Sequence, residues 1–119
     1  GLENLDEISI GGETQIGELR DGTVREYVVA PEHFGLARHD IAHLKVANVD
    51  ESRVMLLAAL TGKHAAARDI VSLNAGASLY VSGRASSLEE GVDLAREVIA
   101  SGAARAKVEE YVVATRATD

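Results

Sequence analysis

Asp21-Gly22 stands between two β-prone runs, Thr14 to Leu19 and Thr23 to Val29, and this pattern limits what the chain can build. Both turn positions accept φ > 0, as a two-residue hairpin connection requires, so residues 13–30 are predicted to form a β-hairpin. In the second run Val24, Glu26 and Val28 share one face, and Arg25, Tyr27 and Val29 share the other. Apolar groups on both faces imply packing on both sides. Pro31, the single proline, has no N–H for a sheet ladder and ends the hairpin. One hairpin is not a stable sheet in water. Either the helices that follow cover it, or its partner strands lie in chain that is absent here.

From about residue 50 the pattern turns helical. Asn48-x-x-Glu51 resembles a capping box and precedes Val54, Met55, Leu57, Ala58 and Leu60, with Gly62 as the stop. A second helix near 65–82 places Ile70, Leu73, Ala77 and Val81 at helical spacing. Asn74 and Gly76 fall inside it and cost propensity, so a hydrogen bond and a close packing contact are expected to compensate. Ser87-x-x-Glu90 opens a third helix with Leu88, Val92, Ala95 and Ile99 on one stripe. Gly102 breaks the pattern. A final amphipathic helix carries Ala104, Val108, Tyr111 and Val112 on one side. The predicted order is a β-hairpin followed by about four helices, an α+β arrangement.

The 119 residues suffice for one domain or a piece of one, and 46% hydrophobic content is too high for a disordered segment. Without cysteine there are no disulfides, thiolate zinc sites or Cys nucleophile. No apolar run approaches the roughly 18–20 residues of a membrane span, and no basic-then-apolar leader opens the chain. The expectation is a soluble, cytoplasmic protein with no membrane partner. The opening Gly1, with no Met, points to a fragment, a processed chain or the remnant of a removed tag.

Charge is unevenly spread. Residues 1–32 hold eight acids and two bases, a balance of −6, against −1 for the remainder and −7 for the whole. Nucleic-acid binders show the reverse, a basic face that displaces counterions from phosphate, so no nucleic-acid partner is expected. The acid surplus lies in the least helical part of the chain. It reads as a solvated surface, or as a place for a cation.

Asp6-Glu7, within Leu5-Asp6-Glu7-Ile8-Ser9, is the sharpest chemical feature. Two adjacent carboxylates on an irregular segment can turn toward one hard cation, and Mg²⁺ favours few carboxylates, several waters and substrate phosphates. On spacing alone, two surface acids is the better reading. His39 and His43, four apart, would share a helix face, but zinc needs a third ligand and Asp40 points elsewhere. His33 and His64 lack a Ser or Cys partner and suit helix caps or surface contacts. Thr61-Gly62-Lys63-His64 fails as a phosphate loop, because Leu57 stands at the first glycine and His64 at the Ser/Thr. Gly11-Gly12 precedes a strand rather than a helix.

Taken together, Leu5-Asp6-Glu7-Ile8-Ser9, Pro31-Glu32-His33-Phe34-Gly35-Leu36, the run Arg68 to Ala77 with Leu79-Tyr80-Val81, Ser87 to Val92 and Ala100-Ser101-Gly102-Ala103 resemble the anthranilate phosphoribosyltransferase family. The blocks fall in that family's order, cover nearly the whole chain, and match roughly the last third of a complete enzyme. The resemblance implies a parent with a small helical domain, which carries a homodimer contact, and a large α/β domain. Residues 1–119 would be the C-terminal portion of that large domain. The helical domain, the glycine-rich phosphoribosyl pyrophosphate loop and the anthranilate-binding arginine would lie in earlier chain. The implied reaction moves a phosphoribosyl group from phosphoribosyl pyrophosphate to the amine of anthranilate, an early step of tryptophan biosynthesis. By residue-level match Asp6 and Glu7 become the metal-binding acid pair for Mg²⁺, with Glu7 shared between two ions. Ser9 is read as a turn hydroxyl, Asn74 and Gly76 as packing residues, and Asn4 as a replacement for a family glycine that tolerates left-handed backbone.

Competing readings are a pyrimidine-nucleoside phosphorylase of the same architecture, a non-catalytic nucleic-acid-binding relative and an autonomous interaction module. The acid pair in its Ile-Ser context opposes the first, and the −7 balance the second. The isolated chain is expected to be inactive and, with uncovered strand edges and apolar patches, to self-associate.

Overall fold

The computed structural model describes residues 1–117. Strands β1 (Thr14–Arg20) and β2 (Thr23–Val29) pair antiparallel with Thr14 opposite Val29 and Arg20 opposite Thr23. Asp21 and Gly22 both take positive φ, 51° and 75°, as the primed turn demands. Four helices follow: α1 (Val49–Leu60), α2 (Ala65–Val81), α3 (Leu88–Ala100) and α4 (Ala103–Arg116). The predicted hairpin-then-helices order is therefore the observed one.

The helix starts are set by local chemistry. Asn48 accepts the Glu51 N–H at 2.9 Å, and Ser87 accepts the Glu90 N–H at 3.1 Å. In neither case does the glutamate return to its own cap residue. Glu51 reaches back to the Ala47 N–H, and Glu90 to the Ser86 N–H, each at 2.8 Å. The Ser86 hydrogen bonds hold the Glu90 carboxyl below the usual glutamate range. His64 caps α2, its Nδ1 accepting the Ala67 N–H at 3.2 Å, and His33 Nδ1 accepts the Ala30 N–H at the same distance.

Between the hairpin and α1 the chain makes two 3₁₀ turns, Pro31–Phe34 and Ile41–Leu44, that the sequence pattern did not announce. Asp40 caps the second by accepting the Ala42 N–H at 2.8 Å, which leaves His39 outside the turn and His43 inside it. The two histidines therefore share no helix face.

Ile10, Val29, Phe34, Leu36, Leu73 and Val92 form the buried core, flanked by Ile8, Ile16, Tyr27, Leu44, Ile70 and Leu88. Helix α2 is its spine, packed on α1 on one side and most extensively on α3 on the other. The α2–α3 crossing depends on Gly76 and Gly91. A Cβ at Gly76 would lie 2.5 Å from the Val92 nitrogen, and one at Gly91 would lie 2.2 Å from the Gly76 oxygen.

Only one hairpin face is covered. Tyr27 and Val29 turn to the core, whereas Val24 and Val28 are exposed, as is Leu19 in β1. On α2 the predicted stripe ends early, with Val81 solvent-exposed. On α4 the stripe is half-buried at Ala104 and Val108 and open at Tyr111 and Val112. The Cα radius of gyration is 15.3 Å, against about 13.5 Å for a compact domain of this length. No helix of the described residues is long and apolar enough to cross a membrane.

Because the two nearest atoms facing Gly76 are backbone, α3 must move if a methyl is added. Gly76→Ala is predicted to destabilise the chain by about 1–3 kcal/mol despite its better helix propensity. Urea unfolding checks this, and a variant as stable as the wild type would contradict the close-contact account.

Candidate metal site

Residues 1–13 lie across the core as an irregular segment that is pinned rather than loose. The Leu2 N–H donates to the Glu13 carbonyl at 3.0 Å. Asn4 has φ 64°, the left-handed backbone anticipated for it. Ser9 and Ile10 are fully buried, and the Ile10 carbonyl accepts the His39 N–H at 2.9 Å. The Ser9 N–H donates to Thr14 Oγ1 at 2.9 Å, while Ser9 Oγ donates to Glu3 at 2.8 Å and accepts the Gly11 N–H at 3.0 Å. Its hydroxyl is thereby spent on the turn, in keeping with the role expected for it.

Asp6 and Glu7 occupy a bend between these fixed points, and both are exposed. Neither carboxylate makes a hydrogen bond or ion pair among the described residues. Asp6 also borders an open groove of about 530 Å³ that is lined by Ile8, Asn74, Ala77, Ser78, Val81 and Ser82. Carboxylate oxygens only accept, so two of them on neighbouring residues without a donor suit a hard cation. No group of three or more His, Asp or Glu is gathered among the described residues. Most of the coordination shell would fall to water and phosphate oxygens, which suits Mg²⁺ and not a closed zinc site.

The segment's hold on the fold comes from Asn74, in the middle of α2. Its Oδ1 accepts the Ile8 N–H at 2.9 Å, and its Nδ2 donates to the Ile8 and Ile70 carbonyls, each at 3.0 Å. This meets the expectation of an internal hydrogen bond and locates it one residue from the acid pair.

Two polar clusters escaped sequence reasoning. Asp69 is buried, with Arg68 at 2.7 Å and His39 Nε2 at 3.3 Å, and it ties the segment before the second 3₁₀ turn to α2. An acid within a mostly apolar helix face, next to an arginine, was the available signal. At the far end of α2, the Tyr80 hydroxyl donates to Glu18 and the Tyr27 hydroxyl donates to the same carboxylate at 3.3 Å. Burial, then the Glu18 charge, pushes the Tyr27 phenol up, and the hydrogen bond to Glu18 raises Tyr80. These contacts fasten the hairpin to α2.

A chain with this hairpin-and-helices order and this acidic bend belongs to the glycosyl transferase family, a/b domain, whose family model matches residues 1–105. Within that family it is similar to anthranilate phosphoribosyltransferases. The enzyme of that name from Burkholderia vietnamiensis is 55% identical over 112 residues, 94% of this chain and 33% of the relative. The one from Herminiimonas arsenicoxydans is 52% identical over 116 residues, 98% of this chain and 34% of the relative. The chain thus spans about a third of the length of the curated relatives it matches. The crystal structure of anthranilate phosphoribosyltransferase from Thermus thermophilus superposes with TM-score 0.83 at 38% identity, over 93% of this chain and 33% of that one. The Saccharomyces cerevisiae enzyme in complex with PRPP and Mg shares the fold, with TM-score 0.81 at 23% identity, over 98% of this chain and 34% of that one.

The left-handed turn at Asn4 yields a direct test. Asn4→Val is predicted to cost about 1–2 kcal/mol, because a β-branched side chain resists that backbone. Asn4→Gly should stay within about 0.5 kcal/mol of the wild type. Thermal unfolding of both variants checks the pair, and equal stabilities would contradict it.

Proposed function

We propose that this chain is the C-terminal portion of the large α/β domain of an anthranilate phosphoribosyltransferase acting in tryptophan biosynthesis in the cytoplasm. The observation that carries the reading is the 55% identity over 94% of the chain to an enzyme of that name. The unpaired Asp6-Glu7 carboxylates on a pinned bend support it. In the whole protein, earlier chain supplies the helical domain, the phosphoribosyl pyrophosphate loop and the anthranilate contacts, and the parent is a homodimer.

In the transfer, the bond from the ribose anomeric carbon to pyrophosphate breaks, a bond from that carbon to the anthranilate nitrogen forms, and that nitrogen releases a proton to solvent. Positive charge builds on the sugar and negative charge on the departing pyrophosphate. Asp6 and Glu7 would hold Mg²⁺, which when bound neutralises charge on the leaving group. The two carboxylates contribute acceptors at a fixed place on the domain surface. The neighbouring groove leaves one side of Asp6 open to solvent and ligand.

In the complete enzyme, the double substitution Asp6→Ala, Glu7→Ala is predicted to lower kcat/KM about a hundredfold or more, in line with several kcal/mol of lost charge stabilisation. The 119-residue chain alone should give no turnover with both substrates. Full transfer by the double variant would overturn the metal assignment, and turnover by the pure chain would overturn the division of labour.

Self-association of the isolated chain follows from the same reading, because Leu19, Val24 and Val28 and both hairpin edges are open. Light scattering is predicted to show a mass that rises with concentration, whereas a monomer throughout would contradict this.

A further inference from the structure

We infer that Asn74 is a positioning residue for the Asp6-Glu7 pair. The inference rests on the metal reading of that pair and extends it to a residue on another element. Asn74 comes from α2, 66 residues further along the chain than Ile8. Its amide satisfies both backbone polar groups of Ile8, the N–H at 2.9 Å and the carbonyl at 3.0 Å.

The Ile8 N–H that Asn74 accepts belongs to the peptide plane that begins at the Glu7 carbonyl. The plane following Glu7 is therefore held by Asn74, which fixes the backbone from which the Glu7 side chain springs. Asn74 is itself a stiff support. Its Nδ2 also donates to the Ile70 carbonyl, and two residues on, Gly76 sits against the Val92 backbone. An apolar residue could fill the volume of Asn74, but only a side chain with one acceptor and two donors can serve Ile8 and Ile70 together. A carboxylate pair so braced meets a cation with less backbone left to order, and partners of this kind commonly set metal affinity by about 10–100-fold.

The test uses the complete ¹⁵N-labelled enzyme with Mn²⁺ as the probe, an octahedral oxygen-preferring ion that broadens nearby amide signals. Wild type should broaden around Asp6 and Glu7. Asn74→Ala should weaken that binding about 10–100-fold. Asn48→Ala, which removes the α1 cap and a comparable hydrogen bond, should leave it unchanged. Should Asn74→Ala fail to fold, wild type alone decides the matter. Coupling is reciprocal, so saturating Mg²⁺ should slow hydrogen exchange of the Ile8 amide. Broadening that spares Asp6 and Glu7 in the wild type overturns the metal reading and this inference with it. Equal Mn²⁺ affinity in Asn74→Ala, equal weakening in Asn48→Ala, or Ile8 exchange indifferent to bound Mg²⁺ overturns this inference alone.

Discussion

The amide of Asn74 and the backbone of Ile8 form the joint between the two halves of the molecule, the acidic irregular segment and the helical body. Two hydrogen bonds cross it, each worth about 1 kcal/mol net. That is too little to close a connection across 66 residues. The closure is driven by burial, with Ile10, Leu73 and Val92 fully enclosed at roughly 2 kcal/mol each. Burial is non-directional and would tolerate a slipped register. The amide would not, because a shift of one residue leaves its acceptor facing a carbonyl. Apolar contacts hold the segment down, and the amide sets where along α2 it lies.

That division of labour also explains the glycines. A spine helix that carries a polar clasp on one face needs close support on another, and Gly76 allows α3 to lie directly against it. The electrostatics follow a similar logic. Most ion pairs among the described residues are exposed, such as Arg105–Glu109 and Arg96–Asp93, and contribute little. Asp69 differs, since it is buried and satisfied by Arg68 and His39. Asp6 and Glu7 differ in the opposite sense, being exposed and without a partner among the described residues.

What could be read in the sequence was local. Asp21-Gly22, Asn48, Ser87 and Gly102 each act within four residues, and each produced the turn, cap or break its chemistry calls for. The 3₁₀ turns were not readable, because nothing in a short window distinguishes them from loop. Nor were Asp69–His39 and Tyr80–Glu18, which join residues 30 and 62 apart. Asn74 lies between these cases. Its position inside a helix required a hydrogen-bond partner, yet only the fold could name Ile8. The acid pair was the least legible from physics alone. Adjacent carboxylates are common, and it was the order of the surrounding blocks that gave these two a meaning.

The uncovered apolar surface has a direction. On the hairpin it lies on the face turned away from the core, and on α4 it grows toward the C-terminal turns. The tyrosine–Glu18 contacts hold the hairpin to the end of α2, so its free face is presented by a supported element and not by a frayed one. A two-stranded sheet with both edges open and one covered face has the form of a sheet margin, which gains most from further strands laid beside it. An extended radius of gyration belongs to the same picture, since chain that carries part of its packing surface outward cannot be as compact as one that closes on itself. The acidic bend needs no such cover. Its backbone is already pinned at Ile8, Ser9 and Ile10 by hydrogen bonds to Asn74, Thr14 and His39.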